Sequence, residues 1–361
     1  MGSRIGAFAR GLARRGWCVT VIDPSSPHTT VMDRLLGYTP TALRSVLENI
    51  GVEGDVRPAA GWCARRMLRG VAADVVVVSV PPFSLSVAVA SALDSRVPLV
   101  VDYRDPWSAR DAPTLLARAA SSLERRTLRR VAAVGYAGGP ALGDLLVRHL
   151  RLPPNRVISV PNGFDPADVE GLDSASVRPE RDGQPLHLAM NGYWYGRNGP
   201  GILRAALQRL GPAVVQLTVI GGVSPPIAAQ LVRATGLPLA LHTARSRREL
   251  YERLHHADAA VVITDHTSAV ESRIPAKVYD YLATGVPVIA ICPPGAALLQ
   301  VPETQRFHHV HHCDINGLLT LLRRAMCDRT TLRAGSLGEG PTREQGVETL
   351  HTTLHGVLLQ G

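Results

Sequence analysis

The sequence predicts an α/β protein made of two doubly wound parallel-sheet domains facing a central cleft. Three observations predict it. Strand-like and helix-like stretches alternate along the whole chain. The strand-like runs ADVVVVSV (73–80), PLVVDYRD (98–105) and VPVIAI (286–291) are largely unbroken apolar, as strands buried on both faces must be. The alternation is interrupted by one polar stretch, DPADVEGLDSASVRPERDGQP (165–185), and then restarts. At 361 residues the chain is long for one core and comfortable for two.

The elements follow in order. MGSRIGAFARGLARRGW reads as a helix, with Ile5, Phe8, Ala9 and Leu12 at helical spacing. A parallel α/β domain ordinarily opens with a strand and a glycine turn. Only Gly2 and Ser3 stand where such a turn belongs, so the first strand is expected upstream of this sequence or absent. WCVTVID (17–23) reads as a strand, helices are expected near 84–94, 113–131 and 139–150, and RVISVPNG (156–163) closes the first half in an Asn-Gly turn. The second half offers strands at 186–192, 213–222, 257–265, 286–291 and near 306–311, with helices near 199–210, 275–284, 314–327 and 343–358. The resulting domains are 1–165, a linker region 166–185, a second domain 186–335, and a terminal segment 336–361 whose helix packs back on the first domain. The cleft between the carboxyl ends of two such sheets is the default ligand site.

Composition narrows the ligand. A net charge of +9 and a pI near 9.8 favour acidic partners: nucleotides, phosphorylated substrates, nucleic acid or an anionic membrane surface. Aromatics at 4% are too few for the stacking platforms of single-stranded nucleic-acid binding. Five scattered cysteines without a CxxC read as reduced, hence cytoplasmic. With no signal peptide and no apolar run of about 18 residues, membrane contact is peripheral at most, at the inner face.

The cations are 38 arginines and one lysine, Lys277. A GC-rich genome such as an actinomycete's explains the ratio but not the lysine's place. In IPAKVYDYLATGVPVIAI (274–291), Pro275 suits a first helical turn and Gly285 a C-terminal cap. Val278 and Leu282, four apart, face the core. N–H groups at 275–278 form an anion site with Lys277 beside it, and Asp280 on the same face accepts from a ribose diol. That combination fits a nucleoside diphosphate. The competing account is a surface helix with an incidental Lys–Asp pair.

PAKVYDYLATGVPVIA resembles the nucleotide-binding segment of retaining, GT-B-fold glycosyltransferases of family 4, whose two domains are Rossmann-like. Three further segments agree in order: VISVPNGFD (157–165), NGYWYGRNGPGILRAAL (191–207), and VPPFSLSVAVASALDSRVPLVVDYRDPW (80–107) with its D-x-R-D-x-W motif. The resemblance spans nearly the whole chain. It implies a nucleotide-sugar donor with its diphosphate held by Pro275, Ala276 and Lys277 and by Arg197, the one member of the family's basic pair carried over, beside Asn198 in the same loop, and with its ribose on Asp280. Gly222, in a glycine turn after a strand, reads as near the base, and His266, just after a strand, as a further donor contact. The family's acidic pair is spaced E-x7-E. Here its first member falls on Ser272, with Glu271 one residue away, so Glu271 is a shifted equivalent at the donor sugar or that role is absent. On the acceptor side it implies Gly2, Ser3, Asp102 and Arg104, with Asp105 on the acceptor hydroxyl. Asp102, Arg104 and Asp105 read as lying just beyond a strand. A solvated loop charge is the cheap account of any one of them, but three at a strand's cleft-facing end favour acceptor binding.

The resemblance implies transfer of a sugar to a small-molecule, lipid-linked or glycan hydroxyl with retention, no cofactor and no required metal, in antibiotic or polysaccharide biosynthesis. Alternatives are a non-catalytic partner of another transferase and a nucleotide-sugar 2-epimerase. FHHVHHCD (307–314) invites a metal, but no second ligand cluster at a matching spacing accompanies it. SLERRTLRRVAA (122–133) is a basic helix, either a solvated face or a lipid-docking one.

Overall fold

The computed structural model describes residues 4–22, 66–68, 71–81, 83–105, 115–172, 183–192, 201–221, 240–244, 246–264, 271–301 and 307–360. They form two compact units, one of 1–162, 271–274 and 343–361, the other of 163–270 and 275–342.

The first unit holds a parallel sheet of β1 (Val76–Val80), β2 (Leu99–Tyr103), β3 (Ala133–Tyr136) and β4 (Val157–Ser159), in that order. Its helices are α1 (Arg4–Arg14), α2 (Ser84–Ala92), α3 (Leu115–Leu128), α4 (Pro140–Leu150) and the terminal α9 (Arg343–Leu358). The two-residue period of a strand sorts them. Leu99, Val101 and Tyr103 of β2 pack with Leu128 of α3 and Leu142 and Leu146 of α4. Val100 joins the opposite core with Phe8 and Leu12 of α1 and Val347 and Leu350 of α9. Every β2 residue is buried, which is why its sequence barely alternates. The expected strand at 17–23 is absent over its described part. Trp17–Ile22 carries no ladder, Val19 and Val21 are 37% and 41% exposed, and Trp17 Nε1 instead donates to His351 Nδ1 of α9 at 2.9 Å.

The second unit holds a six-stranded parallel sheet, ordered β10-β9-β8-β5-β6-β7. Its strands are β5 (Leu186–Asn191), β6 (Val215–Ile220), β7 (Ala240–His242), β8 (Ala259–Ile263), β9 (Val288–Cys292) and β10 (His308–His311). Its helices are α5 (Gly201–Leu210), α6 (Arg247–His255), α7 (Lys277–Thr284) and α8 (Ile315–Cys327). The chain runs outward from β5 through β6 to β7, then returns to lay β8 on the other side of β5. The switch point is therefore between β5 and β8, the place where open α/β sheets bind ligands. Leu203 and Leu207 of α5 and Leu318 and Leu322 of α8 cover one face of this sheet.

Helix α6 was not read from the sequence, although SRRE carries its start signal: Ser246 Oγ accepts from the Glu249 N–H at 3.1 Å. Helix α7 ends as its sequence predicts, on Gly285 at φ +62°. A Cβ there would lie 2.5 Å from the Gly335 carbonyl oxygen, so both conformation and space demand glycine. Gly285→Ala is expected to cost more than about 1 kcal/mol, seen as a lowered urea midpoint.

Candidate functional site

The second unit's site is assembled where β5 and β8 separate. Their ladder ends at Leu188–Ala259 and Ala189–Ala260. Beyond it the Asn191 N–H would face an opening gap. The Tyr281 hydroxyl fills that gap, accepting from Asn191 N at 3.0 Å and donating to the Val261 carbonyl at 3.1 Å. Burial pushes the Tyr281 hydroxyl well above its ordinary pKa, so it remains a donor. This bridge seats α7 against the switch point, and all of its residues from Val278 to Thr284 are buried.

Seating α7 places Asp280 among three donors. Its Oδ1 accepts from Arg247 Nη1 at 2.7 Å and from the Tyr251 hydroxyl at 2.9 Å, both on α6. Its Oδ2 accepts from Asn191 Nδ2 at 2.8 Å. Asp280 is 7% exposed. Neither oxygen is bare, so the carboxylate open to a diol that the sequence reading assumed is corrected to one holding a network. Burial, then the Asp280 charge, pushes the Tyr251 hydroxyl well up. Arg247 keeps its charge because Asp280 offsets the penalty of burial.

Lys277 stands differently. It is half-buried and makes no hydrogen bond or ion pair among the described residues. Its amine lies over the end of β5, 3.5 Å from where a Cβ on Gly192 would sit. Gly192 has φ +92°, and a Cβ on Gly221, after β6, would come within 3.1 Å of the Gly192 carbonyl oxygen. Two glycines thus bring backbone close beneath the amine. Burial lowers the Lys277 pKa to about 8, with Asp280 opposing the shift. The helix start is narrower than its sequence implied. Pro275 has no N–H, and the Val278 N–H bonds the Pro275 carbonyl at 2.9 Å, leaving those of Ala276 and Lys277.

In the first unit, Asp102 is inside β2 rather than beyond it. It points to the α1 side and is 1% exposed. Arg4 grips it bidentately, Nε to Oδ2 at 2.9 Å and Nη2 to Oδ1 at 2.8 Å, and Ser79 Oγ adds a third bond at 2.9 Å. Arg4 also donates to the carbonyls of Val160 and Pro161. The acceptor contact expected of Asp102 is thereby corrected to a buried ion pair that ties α1 to β2 and to the end of β4. Arg104 donates to the backbone carbonyls of Val80 and Pro81, at 3.2 and 2.6 Å, rather than to an aspartate. Asp105 accepts from Arg273 Nε at 2.7 Å. Arg273 belongs to the short segment 271–274, in which Ser272 accepts from the Gly139 N–H at the start of α4, and Glu271 is exposed. Gly2, Ser3, Arg197, Asn198, Gly222 and His266 lie outside the described residues.

On β10, His309 Nε2 meets the Cys292 carbonyl and His308 Nε2 accepts from the Arg333 N–H. His311, His312 and Cys313 bring one ligand atom each within 4.8 Å of one another. The next carboxylate, Asp314, is taken up capping α8 through Gly317 N at 2.8 Å.

Residues 1–168 match the model of the family described as Glycosyltransferase Family 4. Just under half of the chain is thus similar to that family. That match takes in the whole of β1–β4. Solved structures of similar fold extend over both units. A sucrose-phosphate synthase from Thermosynechococcus elongatus aligns at TM-score 0.59 and 15% identity, covering 99% of this chain and 90% of that one. The Anabaena protein HepE, solved with UDP, aligns at TM-score 0.55 and 15% identity over 88% and 87%. An α,α-trehalose 6-phosphate synthase from Burkholderia multivorans gives TM-score 0.56 and 12% identity over 84% and 75%. No curated protein sequence matches the chain. The fold is GT-B, two parallel-sheet α/β domains. No described helix is long and apolar enough to cross a membrane.

Among the residues the sequence reading missed, Arg247, Tyr251 and Asn191 gather on Asp280, and Arg4 on Asp102. Replacing Asp102 with Ala strands the buried Arg4 guanidinium and is expected to cost about 3–5 kcal/mol, measured by urea unfolding. The paired replacement Arg4→Met with Asp102→Leu should recover most of that loss.

Proposed function

We propose that this protein is a glycosyltransferase that moves a sugar from a nucleoside diphosphate sugar to an acceptor hydroxyl with retention at the anomeric carbon. The observation that carries the donor reading is Lys277: a half-buried ammonium without a partner among the described residues, above two glycines at the switch point of a parallel sheet. An uncompensated buried cation is costly, and a diphosphate supplies what it lacks. The fold likeness to a protein solved with UDP supports the same ligand class.

In this reading the acceptor oxygen bonds to the anomeric carbon as the bond from that carbon to the diphosphate breaks, on the same face, and the hydroxyl proton passes to the departing phosphate oxygen. Charge grows on the departing phosphate oxygens. Lys277 and the N–H groups of Ala276 and Lys277 meet that charge without having to reorganise. Arg197, Asn198, Gly222 and His266 complete the donor contacts, Glu271 faces the donor sugar, and Arg104 and Asp105 serve the acceptor. Asp280 is a positioning group: it fixes Arg247 and Asn191, and the donor meets those side chains. No metal is required. The acceptor belongs to natural-product or surface-glycan chemistry, in keeping with the arginine-rich composition.

Lys277→Met should weaken UDP binding by about 1.5–3 kcal/mol in calorimetry, the range of a charge-assisted contact. The pH profile has a definite sign. The free ammonium loses its proton as pH rises through about 8. Parent affinity should therefore hold below that pH and fall above it, while the Met variant's profile stays flat there. The same substitution removes an uncompensated charge, so the ligand-free variant should melt no lower than the parent. A parent that binds no nucleoside diphosphate refutes the reading.

If Asp280 acts through Arg247 and Asn191, UDP and 2′-deoxy-UDP should bind within a few-fold of each other. A large preference for UDP that vanishes in Asp280→Asn would restore the direct ribose contact.

A further inference from the structure

Helix α3 carries an exposed face that no step of the transfer uses. Arg118, Ser122 and Arg126 recur every four residues along it and are exposed, and Arg129 and Arg130 continue it just past the helix end. Arg125 is half-buried at one border. At the other border Leu123 is 51% exposed. The helix has one acidic residue, Glu124, and it points the other way. It is 1% exposed and bonded to the Tyr103 hydroxyl at 2.6 Å and to His149 at 2.8 Å. That network and the fully buried Leu128 fix the helix's rotation, so the arginines cannot turn inward.

None of these five arginines makes an ion pair or side-chain hydrogen bond among the described residues. Some exposed arginines elsewhere pair, as Arg14 does with Glu344, Arg96 with Asp94 and Arg248 with Glu252, while others such as Arg204 and Arg323 do not among the described residues. It is the gathering of five along one helix and its end that sets this face apart. The neighbouring α2, SLSVAVASA, bears no charge, and α4 contributes Asp144 and Arg148, which cancel. The helix dipole accounts for cations in the last turn, but it disfavours Arg118 in the first. What unites the set is a shared face, not a shared helix end.

We infer that this face docks on an anionic phospholipid surface, with α3 lying in the interfacial plane, its arginines on headgroup phosphates and Leu123 among the upper acyl carbons. A solvent-exposed leucine set among unpaired arginines matches a headgroup–acyl boundary. Nucleic acid is the poorer match, since the exposed face offers no aromatic ring for a base. The inference needs no donor, and it stands or falls separately from the donor-site reading.

The test is sedimentation of the full chain with vesicles of phosphatidylcholine alone or mixed with phosphatidylglycerol. The parent should pellet with the mixed vesicles only, and less so as salt is raised. Arg126→Gln with Arg130→Gln should bind about 25-fold more weakly, from roughly fivefold per arginine. Leu123→Gln should weaken binding at unchanged charge. Circular dichroism melts of the variants matching the parent establish that the fold is intact. Equal pelleting with both vesicle types, no pelleting with either, or parent-like binding by the double variant overturns the inference. So does retention of an oligonucleotide under conditions where the anionic vesicles fail to bind.

Discussion

Two adjacent parallel strands cannot separate without abandoning hydrogen bonds, and the second unit is organised around where that happens. After Ala189 and Ala260, β5 and β8 diverge, and one phenol restores what the ladder loses. Because Tyr281 does so from α7, the helix is locked to the divergence point in both position and rotation. Residues at fixed helical offsets from Tyr281 inherit that placement. Asp280, one residue earlier, is delivered to α6 and to the end of β5. Lys277, four residues earlier, is delivered over Gly192. A topological necessity of the sheet thus determines which side chains stand at its carboxyl edge.

The first unit shows the same economy with different chemistry. The strand period sends Asp102 to the side of β2 covered by α1, where a carboxylate has no business unless it is paired. Arg4 meets it with a planar fork, and the remaining guanidinium N–H donors close on the carbonyls of Val160 and Pro161. One pair therefore fastens the first helix, the second strand and the chain leaving the fourth strand. Buried ion pairs add little net stability over apolar packing but penalise every arrangement that separates them. Here the penalised arrangement is α1 displaced from the sheet.

Most of the architecture was legible, and the reasons are physical. Short β-branched apolar runs such as VVVV and VPVIAI suit strands covered on both faces, and α7 announces both ends with Pro275 and Gly285. Lys277 stood out by composition and setting. What stayed hidden depends on contacts distant in sequence. Asp102 looked like a loop charge because nothing local reveals that Arg4, 98 residues earlier, lies against it. Asp280 looked free because its partners Arg247 and Asn191 come from other elements. The apparent strand at 17–23 has the right alternation, but periodicity states only which residues would share a face, not whether a neighbouring strand exists to pair with.

The hidden contacts also explain the conspicuous one. Lys277 and Asp280 are three apart on one helix, spacing that ordinarily lets an ammonium and a carboxylate pair. They do not pair here. A shorter Asp, where the resembling family has Glu, keeps the carboxylate close to its own helix, within reach of α6 and β5. Arg247 reaches it with a bond of 2.7 Å while Tyr251 and Asn191 take further lone pairs. A guanidinium bonded to a buried carboxylate loses less on ordering than a flexible ammonium would. The outcome is a division of labour between two cations. Arg247 occupies the carboxylate, and that is what leaves Lys277 without a partner on its own helix and available to a ligand.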